Sequence, residues 1–143
     1  MNAPCTLFYV DDDIDDLHFF KEASSAVGQE VTLFSMGEDM MHTLHNPPPC
    51  ASVVFIDLNM GGKNGYDLVK EIRQSEDLQH LPVVVYSTAN DKSTITKCKK
   101  MGASMYLNKP TSMRVLKKAI KDVVSLDWKN SKPNDRDFVY RWQ

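Results

Sequence analysis

The chain has 143 residues, 42% hydrophobic and 25% charged, with a formal net charge of −2, which fits one globular domain of ordinary size. No apolar run approaches the roughly 18 residues a membrane helix needs, and the start, MNAPCTLFYVDDD, has neither a basic n-region nor a small-residue cleavage site, so a cytoplasmic protein is expected. Cys5, Cys50 and Cys98 form no CxxC pair; neither a disulfide framework nor a zinc site is predicted, and burial as small hydrophobes is the expected role.

Thr6 to Val10 is a short run of strand formers that leads straight into Asp11, Asp12, Asp13, Asp15 and Asp16. Two unit charges about 4 Å apart at an effective dielectric near 20 repel by roughly 4 kcal/mol, so such a cluster requires a cation, raised pKa values or separation. Ile14, Leu17, Phe20 and Val27 recur at helical spacing until Gly28, which predicts a helix. Asp13, Asp15 and Asp16 fall at its start, where the helix dipole and unpaired N–H groups favour negative charge. Val31 to Phe34 is a second strand, and Ser35 with Glu38 makes a capping-box pattern for a helix running to about His45, ended by Pro47, Pro48 and Pro49.

Ser52 to Ile56 is continuously apolar, as expected of a strand buried on both faces. Leu68, Val69 and Ile72 mark a helix after a loop containing Gly61, Gly62 and Gly65. Pro82 opens a fourth strand, VVVY; residues 93–101 predict a helix stopped by Gly102, and Met105 to Asn108 is a fifth strand. Leu116, Ala119, Ile120, Val123 and Val124 give the last helix its apolar stripe. Residues 127–143 are a polar, proline-containing tail with Phe138, Tyr140 and Trp142 at every second position, expected to be partly ordered on its own domain rather than to dock a partner.

Strands alternating with helices predict an α/β fold with a parallel sheet covered on both faces. Ligands of such sheets bind outside the carboxyl ends of the strands. The first strand ends in Asp11 and Asp12, the third in Asp57, the fourth in Ser87 and the fifth in Lys109. Three carboxylates open to water and phosphate suit Mg²⁺ better than Ca²⁺. Asp57 could be ligand and nucleophile at once, since carboxylates form aspartyl-phosphate intermediates, with Lys109 balancing anionic oxygens and Ser87 donating a hydrogen bond. A carboxylate ending so apolar a strand is costly unless paired or metal-bound.

Charge is unevenly distributed. Residues 1–40 hold nine acids against Lys21 alone, whereas residues 92–121 hold nine bases and no acid. With no nucleic-acid-binding motif in view, the basic segment reads as a surface for an acidic protein partner rather than for DNA or RNA, and equally well as a solvated lysine-rich face. A small-molecule phosphatase would require a second acid two residues after Asp57, where Asn59 stands. A flavin carrier would need a less acidic first loop.

Four segments, VDDD at 10–13, VVFIDLNMGGKNGYDLVKEIR at 53–73, LPVVVYSTA at 81–89 and GASMYLNKP at 102–110, resemble the receiver domain of two-component response regulators, of the stand-alone chemotaxis-regulator type. The resemblance covers about residues 5–126, and a receiver domain over residues 1–126 is expected. It implies a flavodoxin-like, doubly wound (βα)5 fold with a five-stranded parallel sheet in the order 2-1-3-4-5. It further implies that Asp57 accepts a phosphoryl group from a phosphohistidine, that Asp11, Asp12 and Asp57 with the backbone carbonyl of Asn59 surround Mg²⁺, and that Lys109 contacts the phosphoryl group. Ser87 would then turn toward a phosphoryl oxygen while Tyr106 moves inward behind it.

The implied partners are a histidine kinase or histidine phosphotransfer protein and an effector protein, the latter met through the fourth helix, fifth strand and fifth helix. No membrane, nucleic acid, output domain or catalysis beyond the chain's own phosphoryl transfer and dephosphorylation is expected, and the state is monomer or phosphorylation-dependent dimer. Residues 92–101 begin with poor helix formers, Ser93 to Thr96, which predicts an element near a conformational balance. Gly61 stands where the family usually has proline, predicting a looser loop, and the small Ala89 predicts an accessible phosphoryl group with rapid self-dephosphorylation.

Overall fold

A computed structural model describes residues 6–46, 51–61, 64–126, 128 and 138–140. In chain order the elements are β1 (Thr6–Val10), α1 (Ile14–Ala26), β2 (Val31–Phe34), α2 (Gly37–His45), β3 (Ala51–Ile56), α3 (Gly65–Gln74), β4 (Val83–Ser87), α4 (Lys92–Met101), β5 (Met105–Asn108) and α5 (Met113–Ser125). All strand pairs are parallel, in one sheet ordered β2-β1-β3-β4-β5. This is the expected doubly wound order, and the direction of winding reverses between β1 and β3, which brings their carboxyl ends side by side.

Alternate residues of each strand point to opposite faces, and here both faces are buried. Phe8, Val10, Val54, Ile56, Val83 and Val85 meet Met40, Leu44, Leu68 and Ile72 on one side. Leu7, Tyr9, Val53, Phe55, Val84 and Tyr86 meet Leu17, Phe20, Leu116 and Ile120 on the other. That double burial is why SVVFI reads as an unbroken apolar run rather than an alternating one. Phe20 lies at the centre of an aromatic group, 4.5 Å from Tyr9 and 4.9 Å from Phe55 between ring centroids.

Helix starts follow local chemistry in most places. Asp13 caps α1 by accepting from the N–H groups of Asp15 and Asp16. Asn64 and Asp67 form a reciprocal capping box on α3, legible in the N-x-x-D spacing. Asp91 accepts hydrogen bonds from Ser93 Oγ, Thr94 N and Thr94 Oγ1, which offsets the weak propensity of the first turn of α4. Gly102 closes that helix with φ +102°, a left-handed cap that glycine adopts freely.

Two expectations are corrected. Ser35 does not cap α2: the helix begins at Gly37, with Met36 at the cap and no side-chain bond. A methyl group at Gly37 would lie 2.9 Å from Leu68 Cδ2, so the first turn of α2 packs closely against α3. Ile14, placed on the apolar stripe by spacing, is 65% exposed, because it precedes the turn of α1 that reaches the sheet.

Gly65 bears directly on the backbone at Asp57 and Leu58. A Cβ there would stand 2.3 Å from the Asp57 carbonyl oxygen and 2.7 Å from Leu58 Cα, and neither backbone atom can yield without moving Asp57. Gly65→Ala is therefore expected to destabilise the protein by about 2–4 kcal/mol and to weaken divalent-metal binding, measured by denaturant unfolding and by metal titration of the folded fraction.

Of the expected tail, residues 128 and 138–140 are described, and they rest on the domain, with Trp128 Nε1 donating to the Val123 carbonyl at 3.1 Å. Val139 forms a parallel bridge with Tyr106 of β5. Cys98 is buried, as expected, and His18, His42, His45 and His80 are exposed. Cys5, Cys50, the three prolines at 47–49 and Trp142 lie outside the described residues.

Candidate functional site

The carboxyl edge of the sheet brings together four of the residues placed there by sequence. Asp11, Asp12 and Asp57 each offer a carboxylate oxygen within 4.8 Å of the others, a grouping able to hold a metal ion. Lys109, emerging from β5, reaches across to Asp57 Oδ1 at 3.2 Å and to Asp11 Oδ2 at 2.8 Å. Asp57 is 4% exposed and Asp11 fully buried, whereas Asp12 is exposed. The site is thus closed underneath and open at the rim.

Each carboxylate has a different job. Asp11 Oδ1 accepts from the Asp13 N–H, which ties the strand end to the start of α1. Asp12 Oδ2 accepts from the Gly61 N–H at 3.2 Å, linking the first loop to the loop after β3. Ser87, fully buried at the end of the neighbouring β4, accepts from the Ala89 N–H. Asn59 is exposed in the loop two positions after Asp57.

Asp15 and Asp16 lie in the first turn of α1, as expected, but Asp16 also has a second role that the sequence did not show: a 2.8 Å ion pair with Lys109. It lies three residues after the Asp13 cap, and the first turn of α1 carries it back over the sheet edge, where the lysine becomes its partner.

Tyr9 is a site residue that sequence reasoning missed. Its hydroxyl donates to Asp11 Oδ2 at 2.5 Å, so that oxygen accepts from both Tyr9 and Lys109. Burial, then the adjoining Asp11 carboxylate, pushes the phenol far above its ordinary range, and Tyr9 remains a donor at every working pH. The available signal was spacing: residues two apart on a strand share a face, but an aromatic in an apolar strand reads first as core.

Tyr106 is fully buried, and its hydroxyl donates to the Ala89 carbonyl at 2.6 Å. Asn108 Nδ2 contacts the same carbonyl at 3.1 Å. The loop from β4 to α4 is therefore held by β5 side chains.

The electrostatics follow from burial. Burial raises the Asp57 carboxyl to about 6; Lys109 opposes the rise and Asp11 and Asp12 add to it. Burial also disfavours the Lys109 ammonium, but bonds to Asp11 and Asp16 and the Asp57 charge outweigh this and lift its pKa above the usual lysine value. At neutral pH the metal-free site carries more carboxylates than Lys109 can neutralise. The donor set, hard oxygens with an excess of negative charge, fits a divalent cation.

A pH dependence follows. The folded Asp57 carboxyl binds its proton more tightly than an unfolded carboxyl near 3.8, so its ionisation costs stability above pH 6, and the cost is relieved as pH falls from about 6 to about 4. Without metal, wild type is expected to gain, relative to Asp57→Asn, on the order of 1–3 kcal/mol over that interval. Paired urea unfolding curves at several pH values check this.

An open doubly wound sheet with an acidic triad and a cross-site lysine at its carboxyl edge defines a receiver-type module. The description of the response regulator receiver domain matches residues 7–121, and the chain belongs to that family. It is 25% identical to response regulator Rcp1 of Synechocystis over 131 residues, 87% of this chain and 89% of that protein. It is 34% identical over 67 residues to the Arabidopsis thaliana two-component response regulator ARR16, covering 47% of this chain and 41% of that relative's length. A chemotaxis protein CheY homolog of Campylobacter jejuni is 32% identical over 72 residues, 50% of this chain and 55% of its own.

The Mn²⁺-bound form of Rcp1 superposes with TM-score 0.73 at 23% identity, covering 92% of this chain and 100% of that one. A phosphorylated cyanobacterial phytochrome response regulator, RcpA, gives 0.75 at 24%, with coverage of 92% and 100%. At these identities the likeness establishes the fold. As a family, receiver domains are phosphorylated on aspartate and work with histidine kinases or phosphotransfer proteins and effectors. No helix among the described residues is long and apolar enough to cross a membrane.

Proposed function

We propose that this chain is a phosphorylation-activated switch in which Asp57 is the phosphoacceptor. The carrying observation is the placement of a nearly buried Asp57 carboxylate at the end of β3, beside Asp11 and Asp12 and 3.2 Å from the Lys109 ammonium. Asp57 Oδ1 would attack the phosphorus of a phosphohistidine; the new O–P bond forms as the N–P bond breaks, and the departing imidazole takes a proton. Asp11, Asp12, Asp57 and the Asn59 carbonyl would hold Mg²⁺, which when bound neutralises charge on the transferring group. Lys109 would exchange its Asp57 contact for a phosphoryl oxygen while staying anchored on Asp11 and Asp16. Ser87 would donate to a second oxygen after giving up the Ala89 N–H.

The Mn²⁺-bound form of Rcp1 and the phosphorylated form of RcpA support this chemistry by analogy. The kinase or phosphotransfer donor and an effector protein would be met at the sheet edge and at the α4, β5, α5 face respectively. The small Ala89 would leave the phosphoryl group open to water and its lifetime short. The test is intact mass after incubation with acetyl phosphate: one added phosphoryl group with Mg²⁺ and none without it is expected. A folded wild type that stays unmodified with Mg²⁺ would remove the proposal.

A further inference from the structure

In the sheet order β5 is an edge strand, and an unpaired edge offers N–H and C=O groups to any extended chain. Here that edge is occupied. The Tyr106 N–H donates to the Phe138 carbonyl and the Tyr140 N–H to the Tyr106 carbonyl, each at 2.8 Å, the pattern of a parallel strand pair. Phe138, 3% exposed, joins the cluster that contains Cys98 and Tyr106, with Ile95, Met101 and Val139 packed against it. The Lys99 ammonium lies 6.0 Å from the Phe138 ring centroid.

On the α5 side, Tyr140 packs with the cluster holding Val123 and Trp128, and its hydroxyl donates to Asp122 Oδ2. The bond favours the Asp122 anion, with Lys118 adding to the effect, and holds that carboxyl below the usual range. The contact therefore has main-chain pairing for affinity and two side-chain sites, one apolar and one polar, for selectivity. That is how grooves that bind peptides by strand addition are built.

We propose that the β5 edge between α4 and α5 is a peptide-binding groove of the strand-addition type, selective for an aromatic residue followed two positions later by tyrosine, and that the chain's own Phe138–Tyr140 occupies it in cis. Any partner using this edge has to displace the tail. The inference stands on the tail contacts alone and holds whether or not Asp57 is phosphorylated. A tail joined to α5 by residues 126–137 competes at an effective concentration on the order of millimolar, so a free peptide gains access only when the cis segment is weakened.

The test uses the full chain and a fluorescein-labelled peptide of residues 134–143. Phe138→Ala empties the apolar site, and Tyr140→Pro removes one backbone donor; the second serves if the first does not fold. Fold is checked by circular dichroism, and tail release by faster exchange of the Tyr106 amide proton. The expected result is at least tenfold tighter peptide binding to a released variant than to wild type, read by anisotropy, with loss of most of that gain when Asp122→Asn is added. Equal binding to both proteins, no binding to a folded released variant, or an unchanged Tyr106 amide in both variants overturns the proposal. Self-association of the released variant without peptide binding also overturns it, because the edge would then take a second copy rather than the tail.

Discussion

Asp57→Asn is expected to abolish phosphoryl uptake from acetyl phosphate and, at the same time, to stabilise the metal-free fold at neutral pH. Both effects come from one carboxylate. Its oxygen is the proposed nucleophile, and an amide at the same place has neither the charge nor the lone-pair basicity to attack phosphorus, so the mass increment should fall below detection. The stability gain arises because the site holds three clustered carboxylates, two of them buried, against Lys109. Burial pushes Asp57 to about 6, and removing its charge relieves that desolvation cost, with a smaller share from the neighbouring carboxylates, on the order of 1–3 kcal/mol at pH 7. Intact mass reads the first effect and urea unfolding without metal the second. A variant that still gained one phosphoryl group would move the acceptor elsewhere, and one less stable than wild type would mean that Lys109 more than compensates the buried charge.

Asp12→Ala and Asp16→Ala are expected to separate direct metal binding from charge balance. Asp12 is in the triad and exposed at its rim, so its loss should lower Mg²⁺ affinity on the order of 100-fold. Asp16 is outside the triad but holds Lys109 at 2.8 Å. Without it the ammonium turns wholly to Asp11 and Asp57 and competes with the cation, a loss of about tenfold, typical of groups that orient metal ligands. Titration calorimetry with Mg²⁺ reads both. An Asp16→Ala affinity equal to wild type would leave Asp16 only its place as a first-turn helix charge; one as weak as Asp12→Ala would make it a ligand.

The tail contact changes how the α4, β5, α5 face can work. Tyr106 pairs with the tail through its backbone and holds the β4 to α4 loop through its hydroxyl. A single buried residue thus touches both the edge where the tail lies and the loop that follows Ser87, which gives the two regions a direct physical connection. The weak first turn of α4, held by one Asp91 carboxylate, follows that loop in the chain.

Much of the fold was legible in the chain because burial on both faces forces a readable pattern. An unbroken apolar run such as SVVFI, a stop such as Gly102 and a helical stripe such as that of α5 are each local consequences of where water is excluded. The charged residues at the strand ends were legible for the same reason, since an aspartate closing a strand as apolar as β3 has few explanations. Where the reading failed, the deciding contact was distant in sequence. Ser35 looked like a cap, but α2 begins at Gly37, packed closely on Leu68 of α3, with no side-chain cap. Tyr9 looked like core, and only the folded sheet edge shows its hydroxyl on Asp11.

By itself the sequence determined the (βα)5 alternation, the strand boundaries to within a residue and the chemical identity of the edge, because those depend on local hydrophobic periodicity and on residue type. Tertiary structure alone decided which oxygens share Lys109, that Asp16 belongs to the site, and that Phe138–Tyr140 covers β5. Lys109 lies 93 positions from Asp16, and no local preference encodes a distance of 2.8 Å across such a separation. It is set by the right-handed crossovers that bring the first and last strand ends to one edge.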